Sequence, residues 1–199
     1  FRYDGSPIFP EETRWGFFPG VSAGWVVSEE SFMENSSVIN NLKIRASWGQ
    51  LGNDRVDPFQ YIGAFGYSTG WVVDGTDVRG IEATTTPNPN ITWEVTTTTD
   101  IGLELGLLQN RLTFELDGYK TLTTNILGQR QASIPTYTGL SLPDENIGEM
   151  ESIGFEVVAG FKQRFGELAF NVSGNFSYND NKIIFFDEVP QAEPYQKQE

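Results

Sequence analysis

Leu168-Ala169-Phe170-Asn171-Val172-Ser173-Gly174-Asn175-Phe176-Ser177-Tyr178 alternates apolar and polar residues almost without a break. Successive side chains of a strand point to opposite faces. Leu168, Phe170, Val172, Phe176 and Tyr178 therefore share one side, and Ala169, Asn171, Ser173, Asn175 and Ser177 the other. Ten steps at ~3.3 Å give roughly 33 Å of strand. Tilted by about 40°, that length spans about 25 Å, the height of the apolar band on a membrane barrel. Sandwich strands usually stop near five or six residues.

The same period recurs on either side of this stretch. Ile153, Phe155, Val157, Ala159 and Phe161 oppose Gly154, Glu156, Val158, Gly160 and Lys162. In 111–122, Leu112, Phe114, Leu116 and Leu122 oppose Thr113, Glu115, Asp117, Tyr119 and Thr121. Ile101, Leu103, Leu105 and Leu107 oppose Gly102, Glu104 and Gly106, and Leu42, Ile44, Ala46 and Trp48 oppose Lys43, Arg45 and Ser47. No helical stripe at i, i+3, i+4 competes, so the chain reads as all-β. Trp25, Trp48, Phe161, Phe170, Phe176 and Tyr178 are expected near strand ends, where part-polar rings suit a headgroup interface. Thr96–Thr99 is β-branched and strand-favouring.

Connections differ in length. Gln109-Asn110 and 163–166 read as tight turns. Segments of about 52–92 and 131–146 are long and rich in Gly, Pro, Thr and Asp. Up-and-down strands would put both long loops at one end, as in outer-membrane barrels. Residues 28–40 break that rule and are expected to hold one helical turn capped by Ser28. A soluble β-sandwich with its greasy faces stacked, and a complete small barrel of eight strands, remain alternatives at this level.

Composition removes whole classes of function. The 199 residues carry Asp+Glu 27 against Lys+Arg 13, a formal charge of -14, with no His and no Cys. His-based triads, thiol nucleophiles and the usual N/S zinc sites are excluded. A nucleic-acid partner would need clustered Lys and Arg. No apolar run approaches the ~20 residues of a membrane-spanning helix. The opening Phe1–Phe9 carries no signal-peptide pattern and reads as the middle of a longer protein. Adjacent carboxylates such as Glu11-Glu12 or Asp187-Glu188 point apart on strands. Asp74-Gly75-Thr76-Asp77 reads as a solvated turn rather than a calcium loop. No enzyme activity, catalytic residue, metal or cofactor is expected. Recognition is what remains: Tyr61, Phe65, Tyr67 and Trp71 lie among glycines in the first long loop. Such rings can stack on sugars or pack on peptide, unless they fold the loop onto itself.

Arg14-Trp15-Gly16-Phe17-Phe18-Pro19-Gly20-Val21-Ser22-Ala23-Gly24-Trp25 resembles the RWG-x-FPS-VSAGW signature of SusC/RagA-type TonB-dependent outer-membrane transporters. Leu42–Gly49 is similar to that family's LK-x-RASYG, and Asn88–Glu94 to its NP-x-LxWE motif. Asn110-Arg111-Leu112 with Asp117-Gly118-Tyr119, then Asn146-Ile147-Gly148 with Gly154-Phe155-Glu156, follow in family order. Gly20 stands where the family usually has Ser, and Trp48 where it has Tyr. The resemblance implies that residues 1–199 are part of a single β-barrel domain. They would form a partial antiparallel up-and-down transmembrane wall of about six or seven strands, without a plug domain. It further implies uptake of oligosaccharides or peptides across the cell outer membrane, a SusD-like surface lipoprotein partner, and TonB acting through a plug.

Overall fold

The computed structural model describes residues 1–34, 36–68, 70–130 and 142–188. Its strands are β1 (Arg2–Gly5), β2 (Trp15–Phe18), β3 (Gly20–Val26), β4 (Ile39–Asn53), β5 (Ala64–Tyr67) and β6 (Trp71–Val73). β7 (Thr76–Val78), β8 (Ile81–Thr85), β9 (Glu94–Leu107), β10 (Leu112–Gly128), β11 (Glu145–Phe165) and β12 (Leu168–Phe185) follow. β3, β4, β9, β10, β11 and β12 form one six-stranded antiparallel sheet in that spatial order. Each neighbour in the sheet is the next long strand in the chain, which is the up-and-down topology expected. The other sheets have two strands each: β1-β2, β5-β8 and β6-β7.

Register puts like with like. Trp25, Ile44, Leu103, Leu116, Val157 and Phe176 form one row across all six strands. The next row, Gly24, Arg45, Gly102, Asp117, Glu156 and Ser177, points to the other face. A slip of one residue in any strand would exchange its two faces, so the apolar pattern fixes the pairing.

Among the described residues nothing stacks on the apolar face along these rows. Phe176 is 61% exposed and Ile101 62%. The chain exposes 14086 Å², against about 9400 Å² for a compact monomer of its mass. The sandwich alternative fails, because no second large sheet is present among the described residues. The eight-stranded alternative fails because β3 and β12 do not pair. Among the described residues no helix is long and apolar enough to cross a membrane.

The tight turns 108–111 and Gly166-Glu167 lie at one end of the sheet, together with 27–38, the longer connection expected to break the rule there. The opposite end carries the connections 54–93 and 129–144. Three local expectations need correction. β11 runs on to Phe165, so the last turn lies at Gly166-Glu167 rather than within 163–166. Ser28 does not cap a helix. It lies inside a 3-10 turn, Val27–Glu29, that has no side-chain cap, and the Trp25 indole donates to Glu30 Oε1 at 2.8 Å instead. Trp48, Phe176 and Tyr178 lie within their strands, because the ladder continues to Asn53 and Phe185 after the apolar pattern stops. The stop is marked on that same face by Lys120, paired with Glu151 at 2.7 Å, and by Asp180 and Lys182 opposite β11.

The first long loop is not structureless. β5 and β8 pair, and the β6-β7 hairpin lies between them in sequence. That hairpin turns on Asp74 (φ 51) and Gly75 (φ 78), the two positive φ values of a type I′ turn. Residues 131–141 of the second expected loop lie outside the described residues, and Glu145 and Asn146 already belong to β11. At the loop end Phe9, Phe18, Ile91 and Trp93 form a small core. Trp93 meets Phe9 and Phe18 edge-on at 5.4 Å each, and its indole donates to the Arg14 carbonyl at 3.1 Å.

Candidate functional site

The polar face is built around a cation that reaches across a strand. Arg45 on β4 and Asp117 on β10 are separated in their row only by Gly102 of β9. With no side chain between them, the Arg45 guanidinium lies 2.6 and 2.7 Å from the two oxygens of Asp117. A Cβ on Gly102 would stand 2.5 Å from Asp117 Oδ1 and 2.6 Å from Arg45 Nε. Glycine here is required by close approach. Glu104 and Asp100 flank Gly102 on β9, at 3.5 Å from Arg45 Nε and 3.6 Å from Nη1. Lys43 Nζ pairs with Glu104 at 3.0 Å. Three carboxylates against two cations leave this cluster at one negative charge. Glu115 opposes Glu104 and Glu156 opposes Asp117, so the whole face is acidic. Water or other protein must border it, since unpaired charges are costly to bury.

Asn88, in one of the motifs behind the resemblance, and Asn146, in another, tie the two long connections together. The Asn146 side chain accepts from Thr92 N at 3.0 Å and donates to Thr92 O at 2.9 Å, as a backbone partner would. It also donates to the Asn125 carbonyl at 2.8 Å, where Asn125 takes φ 60 and the β10-β11 register shifts. Asn88 Nδ2 donates to the Asp144 carbonyl at 2.7 Å, and Gln60 Nε2 to the Asp144 carboxylate at 3.2 Å. Sequence pattern alone did not identify these residues as a clasp. The Asn-rich motifs were the only signal.

The four loop aromatics do not form one cluster. Tyr61 is partly buried against the Phe9/Phe18/Ile91/Trp93 core. Phe65 and Tyr67 sit two residues apart on one face of β5, at 75% and 77% exposure. Trp71 lies on the separate β6-β7 hairpin, also exposed, near the Cβ position of Gly80. No group of His, Cys, Asp and Glu able to hold a metal occurs among the described residues.

A sheet with one exposed apolar face, one ion-paired acidic face, tight turns at one end and long loops at the other is the wall of an outer-membrane-type β-barrel. Residues 1–196 match the family model described as "TonB dependent receptor-like, beta-barrel". The chain belongs to that family. TonB-dependent receptor P39 of Formosa agariphila is 36% identical over 92% of this chain and 17% of its own length. TonB-dependent receptor SusC of Bacteroides thetaiotaomicron is 31% identical over 92% of this chain and 18% of its own. The RagAB peptide importer in its closed-closed state superposes with a TM-score of 0.78 at 24% identity, covering 96% of this chain and 21% of that one. The SusC/RagA-type resemblance read from the motifs therefore holds. The chain spans less than a fifth of the length of the curated relatives it matches.

Proposed function

We propose that this chain is part of the barrel wall of a TonB-dependent importer in the cell outer membrane, taking up oligosaccharides or peptides. The observation that carries the reading is the pair of adjacent rows across six strands, one wholly apolar and the next led by the Arg45–Asp117 pair. The apolar rows face hydrocarbon and the acidic face borders the lumen. Residues 1–199 act as part of a single barrel domain, and energy coupling through TonB belongs to a plug elsewhere in the protein. The loop end faces outward, where Phe65, Tyr67 and Trp71 offer exposed rings to cargo or to a SusD-like surface lipoprotein.

The segment has no Cys, so in the intact protein, with any cysteine outside the segment replaced, one introduced here is the single labelling site. Phe114→Cys should react with a lipid-soluble maleimide and resist a water-soluble one, and Glu115→Cys should do the reverse. Equal labelling at both positions would sink the reading.

A further inference from the structure

Phe59 is held at φ 64. A bulky side chain in that region is a backbone outlier, and such strain persists where something else requires the residue. Glycine would close the same turn, in which Ile62 N donates to the Phe59 carbonyl at 3.0 Å, without strain. What glycine would lack is the ring. That ring is 51% exposed and meets Tyr61 edge-on at 6.3 Å, and Tyr61 is itself packed on the loop-end core. Phe59 borders a cleft of about 450 Å³ between the two long connections, whose polar lining is Asp57, Gln60, Thr86, Gln129 and Asp144 and whose remaining lining is apolar, Ile62 and Leu142 included. That volume lies within the range of small-molecule sites. Gln60 and Asp144 are already fixed by their mutual hydrogen bond, and Asn88 fixes both, donating to Asp144 O from its side chain and to Gln60 O from its backbone at 2.9 Å.

We infer that this cleft is a subsite for an uncharged, hydroxyl-rich ring, a pyranose unit of a neutral oligosaccharide, with Phe59 as its platform. The inference rests on the importer reading and narrows its cargo. Carboxylates and carboxamides accept hydrogen bonds from sugar hydroxyls, and the amide groups also donate to their oxygens. An aromatic face packs on the apolar face of a pyranose. No Lys or Arg occurs among the described lining residues, while Asp57 and Asp144 repel uronates, sulfate esters and peptide carboxylates.

The test uses the intact protein in outer-membrane vesicles. Binding is measured for neutral hexaoses of glucose, xylose and mannose, for hexagalacturonate, and for a mixed tryptic peptide digest. At least one neutral hexaose should bind, and hexagalacturonate should not. Phe59→Gly suits the backbone, so it should fold normally yet weaken that binding about 3- to 10-fold. Phe59→Trp should retain it. Unchanged affinity in Phe59→Gly overturns the inference, and so does binding of only hexagalacturonate or peptide. Failure of every neutral hexaose to bind, with the Phe114/Glu115 labelling pattern intact, removes this subsite and leaves the importer reading standing. Loss of the labelling pattern removes both.

Discussion

Gly102→Ala sets two effects of opposite sign against each other. Replacing a strand glycine should by itself stabilise the sheet by about 0.5–1 kcal/mol, because glycine loses the most backbone entropy on folding. The new methyl group, however, would occupy a point 2.5 Å from Asp117 Oδ1 and 2.7 Å from Arg45 Cζ. The guanidinium must then leave Asp117. Charge-assisted hydrogen bonds contribute about 1.5–3 kcal/mol. The Arg45 and Asp117 side chains are 37% and 20% exposed, so screening lowers the loss to about 1–2 kcal/mol. The loss outweighs the gain, and Gly102→Ala should destabilise by about 1 kcal/mol or slightly less. In an Arg45→Met background the pair is already broken and Asp117 is free to turn aside, so the same substitution should become neutral or stabilising. Urea unfolding of the intact protein in lipid vesicles gives the cycle, and hydrogen exchange of β9 and β10 amides localises it. If Gly102→Ala is stabilising in the parent, or if its cost survives Arg45→Met, then the pair across β9 is not what the glycine serves.

Leu116→Arg, in the apolar row, should cost about 2–4 kcal/mol near the bilayer midplane, while Glu115→Gln on the opposite face should change stability by less than about 0.5 kcal/mol. Equal costs in vesicle unfolding would contradict the assignment of faces. Asn146→Leu removes three hydrogen bonds and should lower local stability by about 2–4 kcal/mol. Exchange should then quicken at Thr92 and at 144–148, with 112–118 unaffected. Ile91→Ala, at 1% exposure, should cost about 2–5 kcal/mol, and that cost should not vary with the thickness of the lipid used.

The sequence made the two faces legible because period-2 alternation survives in every long strand, and it made the turn and loop ends legible through Gly, Pro and Asn content. It misjudged strand ends for a physical reason. Alternation stops where the apolar band stops, but backbone pairing goes on without it. Between β9 and β10 that extension is faced by Thr96–Thr123 and Thr98–Thr121 hydroxyl contacts at 3.2 and 3.4 Å. The Arg45–Asp117 pair was hidden because its members are 72 residues apart and meet only once two registers are known. Phe59 gave no signal either, since its residue type argues against the φ it adopts. Tyr61, Phe65, Tyr67 and Trp71 were grouped by proximity in sequence, whereas two hairpins and a small core divide them.

The apolar face of this sheet has two covers along its length. From Leu112 to Gly118 on β10, none of the described residues lies over it, and the residues suit hydrocarbon. Past Lys120 and Glu151 the same face continues through Gly52 on β4 and Val95 on β9, and there Phe18 lies against Gly52 while Val95 packs on the Phe9/Phe18/Ile91/Trp93 core. Strands that project beyond the bilayer meet water, where an apolar face needs protein over it. The β1-β2 hairpin and the base of the first long loop provide that protein. Residues 14–18 of the first motif and the motif of 88–94 are therefore bound to one physical task, covering the sheet where lipid ends, while the rest of the first motif is β3 of the sheet itself. This is why the cost of Ile91→Ala should ignore the bilayer and that of Leu116→Arg should depend on it.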